Sequence, residues 1–112
     1  MTSVELDPED NKLVVLARAT RARTGAAEGA ALRDLDGRTY AAATVALPSL
    51  EVSALDVCIA MAIASGAKGA EAAVVLGEGA DPSLAALGDF AGAGVPVHIG
   101  TPAGAIGSTV ST

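Results

Sequence analysis

The stretch Gly29-Ala30-Ala31-Leu32-Arg33-Asp34-Leu35-Asp36-Gly37-Arg38-Thr39-Tyr40-Ala41-Ala42-Ala43-Thr44-Val45 decides the fold. Asp-Gly reverses a chain at little steric cost, and here it stands between two runs of strand-compatible residues. Two strands, Gly29 to Leu35 and Arg38 to Val45, are therefore expected as an N-terminal β-hairpin. Ahead of it, Asp7-Pro8-Glu9-Asp10 reads as a helix entry. Asp7 caps, Pro8 sits in the first turn where its missing N–H costs nothing, and the acidic groups suit the positive end of the helix dipole. This helix should run to about Arg23 and stop at Gly25, with Arg18, Arg21 and Arg23 at its basic end complementing the exposed carbonyls.

Beyond the hairpin, Ser53-Ala54-Leu55-Asp56 has the spacing of a capping box, with Asp56 in place of the usual Glu or Gln. It opens a second helix through about Ser65, ended by Gly66. Every residue between Asp56 and Ser65 is apolar, so this helix has no wet face and must be covered on more than one side. Glu71 to Leu76 suits a buried parallel strand, and Asp81-Pro82 reads as the cap of a third helix reaching about Ala91. Val95 to Gly100 forms another strand, and Ala105 to Val110 adds a weaker final one. The order implies an α/β fold: a mixed sheet of four or five strands carrying helices, its later strands joined by right-handed crossovers.

A chain of 112 residues suits one domain, residues 1–112. Its formal charge of −6 and pI near 4.5 oppose a phosphate backbone, so nucleic acid is not an expected partner. The longest apolar run, Val57 to Ala64, is far shorter than the roughly 20 residues of a membrane helix. No basic start precedes an apolar signal region, and the expected location is cytoplasmic. Cys58, the single cysteine, is expected as a small buried hydrophobe. Hydrophobic residues make up 51% of the chain, with Ala prominent, while aromatic residues are only 2%. That balance predicts hidden surface beyond a monomer's core, closed by smooth helix packing rather than aromatic anchors.

From Gly29 to Gly104 the chain resembles the cytidine deaminase family. Gly29-Ala30-Ala31-Leu32 followed by Asp36-Gly37-Arg38-Thr39-Tyr40 is similar to that family's Gly-Ala-Ala-Leu strand and Asp-Gly hairpin. The resemblance implies a three-layer α-β-α domain in which Cys-Ala-Glu or His-Ala-Glu opens the second helix and Pro-Cys-x-x-Cys opens the third. Those residues hold zinc and shuttle protons in the family. The matching segments here are Ser53-Ala54-Leu55 and Pro82-Ser83-Leu84-Ala85-Ala86. Serine hydroxyls are weak neutral ligands, Ala86 offers no donor, and Leu55 cannot carry a proton. The ribose-gripping Asn and Glu of the family correspond to Thr44 and Ala46, and its Asn-Phe-Pro loop to Gly25-Ala26-Ala27. No catalytic residue, cofactor or metal ligand is therefore assigned.

The expected function is that of a catalytically inactive homologue acting as an oligomeric interaction or regulatory protein, a homodimer or homotetramer. A binder of nucleosides or anions between the starts of helices two and three, with Ser53 and Ser83 as contacts, is the alternative. A true nucleoside deaminase is what the family name alone would suggest. Other constellations are weaker. His98 lies between Val97 and Ile99 on a predicted strand, opposite both, and reads as a surface or hydrogen-bonded residue. Ser83, His98 and Asp89 show no spacing that implies a triad. Gly77-Glu78-Gly79 and Gly92-Ala93-Gly94 are turn glycines without a phosphate-loop Lys-Ser/Thr pair.

Overall fold

The computed structural model describes residues 5–112. Helix α1 spans Pro8–Thr24, and the Asp7 carboxylate accepts the Asp10 N–H at 2.9 Å. Gly25 ends it, donating its N–H to Arg21 O. Strands β1 (Glu28–Asp34) and β2 (Thr39–Ala43) form the expected antiparallel hairpin. Its turn is one residue longer than the Asp-Gly dipeptide predicts, because Asp34 N bonds to Arg38 O across a three-residue loop. The cause is Asp34, whose carboxylate accepts the N–H groups of Asp36 and Arg38, both at 2.9 Å, and so closes a wider turn. Gly37, at φ 83°, supplies the left-handed residue this loop requires.

The second predicted strand ends early, at Ala43, and the chain turns into a small hairpin that the alternation did not reveal. It consists of β3 (Val45–Leu47) and β4 (Leu50–Val52), reversing at Pro48-Ser49. Helix α2 (Ala54–Ala64), strand β5 (Ala70–Gly77), helix α3 (Ala85–Ala91), and strands β6 (Pro96–Gly100) and β7 (Ile106–Ser111) complete the chain.

The main sheet has the order β2-β1-β5-β6-β7. Strands β5 and β6, joined through α3, are parallel, whereas β1 runs antiparallel to both its neighbours and β7 antiparallel to β6. Strand alternation sends Ala31, Ala72, Val74 and Leu76 to one face, where Leu13, Val14 and Ala17 of α1 cover them. Ala30, Leu32, Ala73, Val75 and Val97 point to the other face, under Leu55, Cys58, Ile59 and Ala62 of α2 and Leu87 of α3. The result is the three-layer α-β-α arrangement. Gly29 sets how closely α1 approaches: a Cβ there would collide with the Ala17 carbonyl and with Arg21 Cβ.

Candidate functional site

The starts of α2 and α3 meet on the sheet face that carries both helices, and this is where the resemblance puts a zinc site. Ser53 is the N-cap of α2, and its Oγ accepts the Asp56 N–H at 3.1 Å. Capping alone accounts for that side chain. Leu55, the second residue of the helix, has no exposed surface and belongs to the same apolar cluster as Leu87, Ala54 and Val75. Leu84, Ala86, Phe90 and Ala80 pack against that cluster from the α3 side.

Helix α3 corrects one expectation. It begins at Ala85, not at Pro82, and Asp81 caps nothing; the N-cap position is Leu84, which offers no side-chain bond. Ser83 explains the delay, because its Oγ accepts the N–H of Ala85 two residues on, at 3.4 Å, a local turn that competes with helix. Ser83 itself is exposed.

This set of side chains does not fit zinc. Of the four positions, Ala86 and Leu55 carry no donor, and both serine oxygens are taken up by backbone amides of their own helix entries. Among the described residues, no group of three or more His, Cys, Asp or Glu side chains could hold a metal ion. Cys58 lies deeper in the same cluster, its thiol directed at Tyr40 O at 3.6 Å, and burial pushes its pKa up to about 12. It is a packed thiol and not a nucleophile.

Polar chemistry lies on the opposite face. Alternation aims Arg33 of β1 and His98 of β6 toward α1, and there they meet Asp10. Arg33 Nη2 donates to Asp10 Oδ1 and His98 Nε2 bonds Oδ2, each at 2.8 Å. His98 Nδ1 bonds the Thr109 hydroxyl on β7, also at 2.8 Å, and Arg33 Nε lies 3.6 Å from Glu71. Burial alone would raise the Asp10 pKa, but the hydrogen bonds from His98 and Arg33 outweigh it and hold the carboxyl below the usual carboxylate value of 3.8. Arg33 Nη1 is buried and meets no hydrogen-bond partner among the described residues.

The sequence placed His98 opposite Val97 and Ile99 as a surface or hydrogen-bonded residue, and the structure has it buried with both ring nitrogens bonded. Sequence reading missed Asp10 and Arg33 as its companions. The available signal was a cation that follows the apolar run Gly29 to Leu32 on the same side of β1 as Ala31. Ser83, His98 and Asp89 are not brought together: His98 turns to the α1 face, whereas α3 packs on the other.

Two surface clefts lie away from Ser53 and Ser83. One, of about 380 Å³, opens at the ends of β5 and β6 and is lined by Gly77, Ala80, Ile99, Ile106 and Ser108 among others. The second, of about 550 Å³, lies beside the start of α1, between Asp7, Glu9, Arg33, Gly37 and Glu71. No helix among the described residues is long and apolar enough to cross a membrane.

Comparison with known proteins agrees with this architecture. A cytidine deaminase from Burkholderia pseudomallei superposes with a TM-score of 0.75 at 22% identity, over 91% of this chain and 90% of that one. A cytidine deaminase from Mycobacterium leprae gives a TM-score of 0.71 at 20% identity, over 96% and 94% of the two chains. At such identities these likenesses speak for the fold. No curated protein matches the sequence. The family profile described as "Cytidine deaminase-like" matches residues 6–104, nearly the whole chain, and the chain therefore belongs to the cytidine deaminase-like family.

Proposed function

We propose that this chain is a catalytically inactive cytidine deaminase homologue that works as an oligomeric interaction or regulatory protein. The observation that carries the first half is Leu55. Where the resemblance puts a proton-carrying Glu, an aliphatic side chain with no exposed surface packs against Leu87 and Val75. A carboxylate needs hydration or a partner to work there, and this cluster supplies neither.

The second half is supported by the outer side of α2. Its inner residues are buried, but Met61 and Ile63 are 39% and 54% exposed, and Ala60 and Ala64 beside them are also exposed. Within one chain the helix is covered on one side only. A symmetric contact between copies would cover the other, giving a homodimer or homotetramer.

Native mass spectrometry of the freshly purified protein tests both halves. The expected result is a dimer or tetramer without zinc, together with cytidine deamination no faster than a blank when zinc is added. Stoichiometric zinc or turnover would overturn the inactive reading, and a co-purifying small molecule would favour the binding alternative. A monomer at micromolar concentration would overturn the oligomeric one. Ile63→Asp should lower the subunit number of the wild-type assembly.

A further inference from the structure

We propose that the outer edge of β7 is a second self-association surface, at which β7 pairs antiparallel with β7 of another copy and continues the sheet from one chain into the next. Among the described residues, strand β7 ends the sheet and pairs with β6 alone. Thr112 N donates to Val95 O at 3.1 Å, so that at this end of the ladder Val95 and Thr112 turn these groups toward each other. Antiparallel ladders alternate, so in the same register Val97–Val110 and Ile99–Ser108 are bonded pairs. Thr109 and Ser111 accordingly turn their backbone N–H and C=O groups outward, where no backbone partner among the described residues meets them.

Natural edge strands are normally blunted by a charge, a proline or a bulge in the strand. From Gly107 to Ser111, β7 has no Lys, no other charge and no Pro. Its one register shift lies at its start, opposite Ile99 and Gly100, and leaves Ser108 to Ser111 regular. Val110 is 39% exposed on this strand.

A second copy of the chain is the occupant these features favour. Two-fold pairing centred on Val110 makes Thr109 and Ser111 of one copy a bonded pair with Ser111 and Thr109 of the other. It also sets Val110 against Val110 at the closest side-chain spacing an antiparallel pair offers. The sequence holds no Asp, Glu, Lys or Arg from Gly92 to Thr112, so two copies of a chain carrying −6 meet here without charge opposing charge. The contact uses a different element from the α2 face. Two different self-complementary surfaces on one chain generate a dimer of dimers, the tetramer among the assemblies proposed above.

The experiment is hydrogen exchange at single-amide resolution on the assembled protein, with native mass measured on Val110→Lys and Ser111→Pro. Val110→Lys sets like charges opposite each other across the two-fold. Ser111→Pro removes one outward N–H at an edge position where proline is tolerated. In the wild type, the Thr109 amide should exchange at least about tenfold more slowly than in either variant, and the Ser111 amide at least about tenfold more slowly than in Val110→Lys. Each variant should halve the assembly mass while keeping the wild-type circular dichroism. Fast exchange at both amides in the assembled wild type would overturn the proposal, and so would an unchanged mass in folded Val110→Lys or Ser111→Pro. Ile63→Asp separates the two surfaces: if it alone dissolves the assembly to monomers, the α2 contact stands and the β7 contact falls.

Discussion

The two faces of the sheet have been furnished in opposite ways. The α2/α3 face, where relatives of this fold would keep their chemistry, is filled with Leu55, Leu87, Cys58 and Val75, and its buried polar groups are confined to the hairpin end at Asp34 and Tyr40. The α1 face carries Asp10, Arg33 and His98, tied to one another and to Thr109. Acid, base and cation are all present in the molecule, but they sit behind the sheet and hold elements together. On the α2/α3 face of this chain the packing around Leu55 is aliphatic.

The largest expected effect comes from reversing the first face. Leu55→Glu places a carboxylate in an apolar cluster with no partner, and should cost more than the roughly 2–5 kcal/mol of the plain truncation Leu55→Ala, both read by urea unfolding. If Leu55→Glu were as stable as wild type, the cluster would be wetter than described and the contrast between faces would fail. Asp10→Ala comes next. It strips His98 and Arg33 of their shared acceptor, and about 2 kcal/mol should be lost, with Glu71→Ala, at the exposed end of the network, losing much less.

The acid side of the stability curve sharpens the same point. Asp10 and Asp34 both have folded pKa values below 3.8: burial works against ionisation at each, but His98 and Arg33 on Asp10, and Tyr40 with the turn amides on Asp34, prevail. Their stabilisation is therefore complete above the unfolded carboxylate range and is lost as pH falls below about 3.8 toward the lower folded values. Asp10→Asn should flatten part of that acid slope while leaving the share due to Asp34. An unaltered slope would mean that the α1-face network contributes nothing to the charge linkage. The smallest effect belongs to Ser53→Ala, a lost cap costing about 1 kcal/mol. It should be the same with or without added zinc, whereas a zinc-dependent difference would return Ser53 to the role of ligand.

Much of this was legible in the sequence because it is local. Asp7-Pro8 started α1, Gly25 stopped it, and Ser53 capped α2, since each acts on amides within a few residues. The hairpin and the three later strands also appeared within a residue or two, as short apolar runs between turn residues. Local chemistry equally misled where two local preferences competed: Asp81-Pro82 has the form of a cap, and the Ser83 turn two residues later overrides it. The small β3–β4 hairpin escaped because three-residue strands carry too little alternation to be seen. The Asp10–His98–Arg33 network escaped for another reason. Its members lie 23 and 88 residues apart, and only the sheet order makes them neighbours.

That separation also bears on how the chain is made. Asp10 leaves the ribosome 88 residues before His98, and at about 5–20 residues per second it waits several seconds for its partner. Arg18, which meets the Ala103 carbonyl 85 residues away, waits as long. During that interval α1 already has Arg33 and the apolar face of β1 and β5 to pack on, but the tie that joins its start to the far side of the sheet comes last.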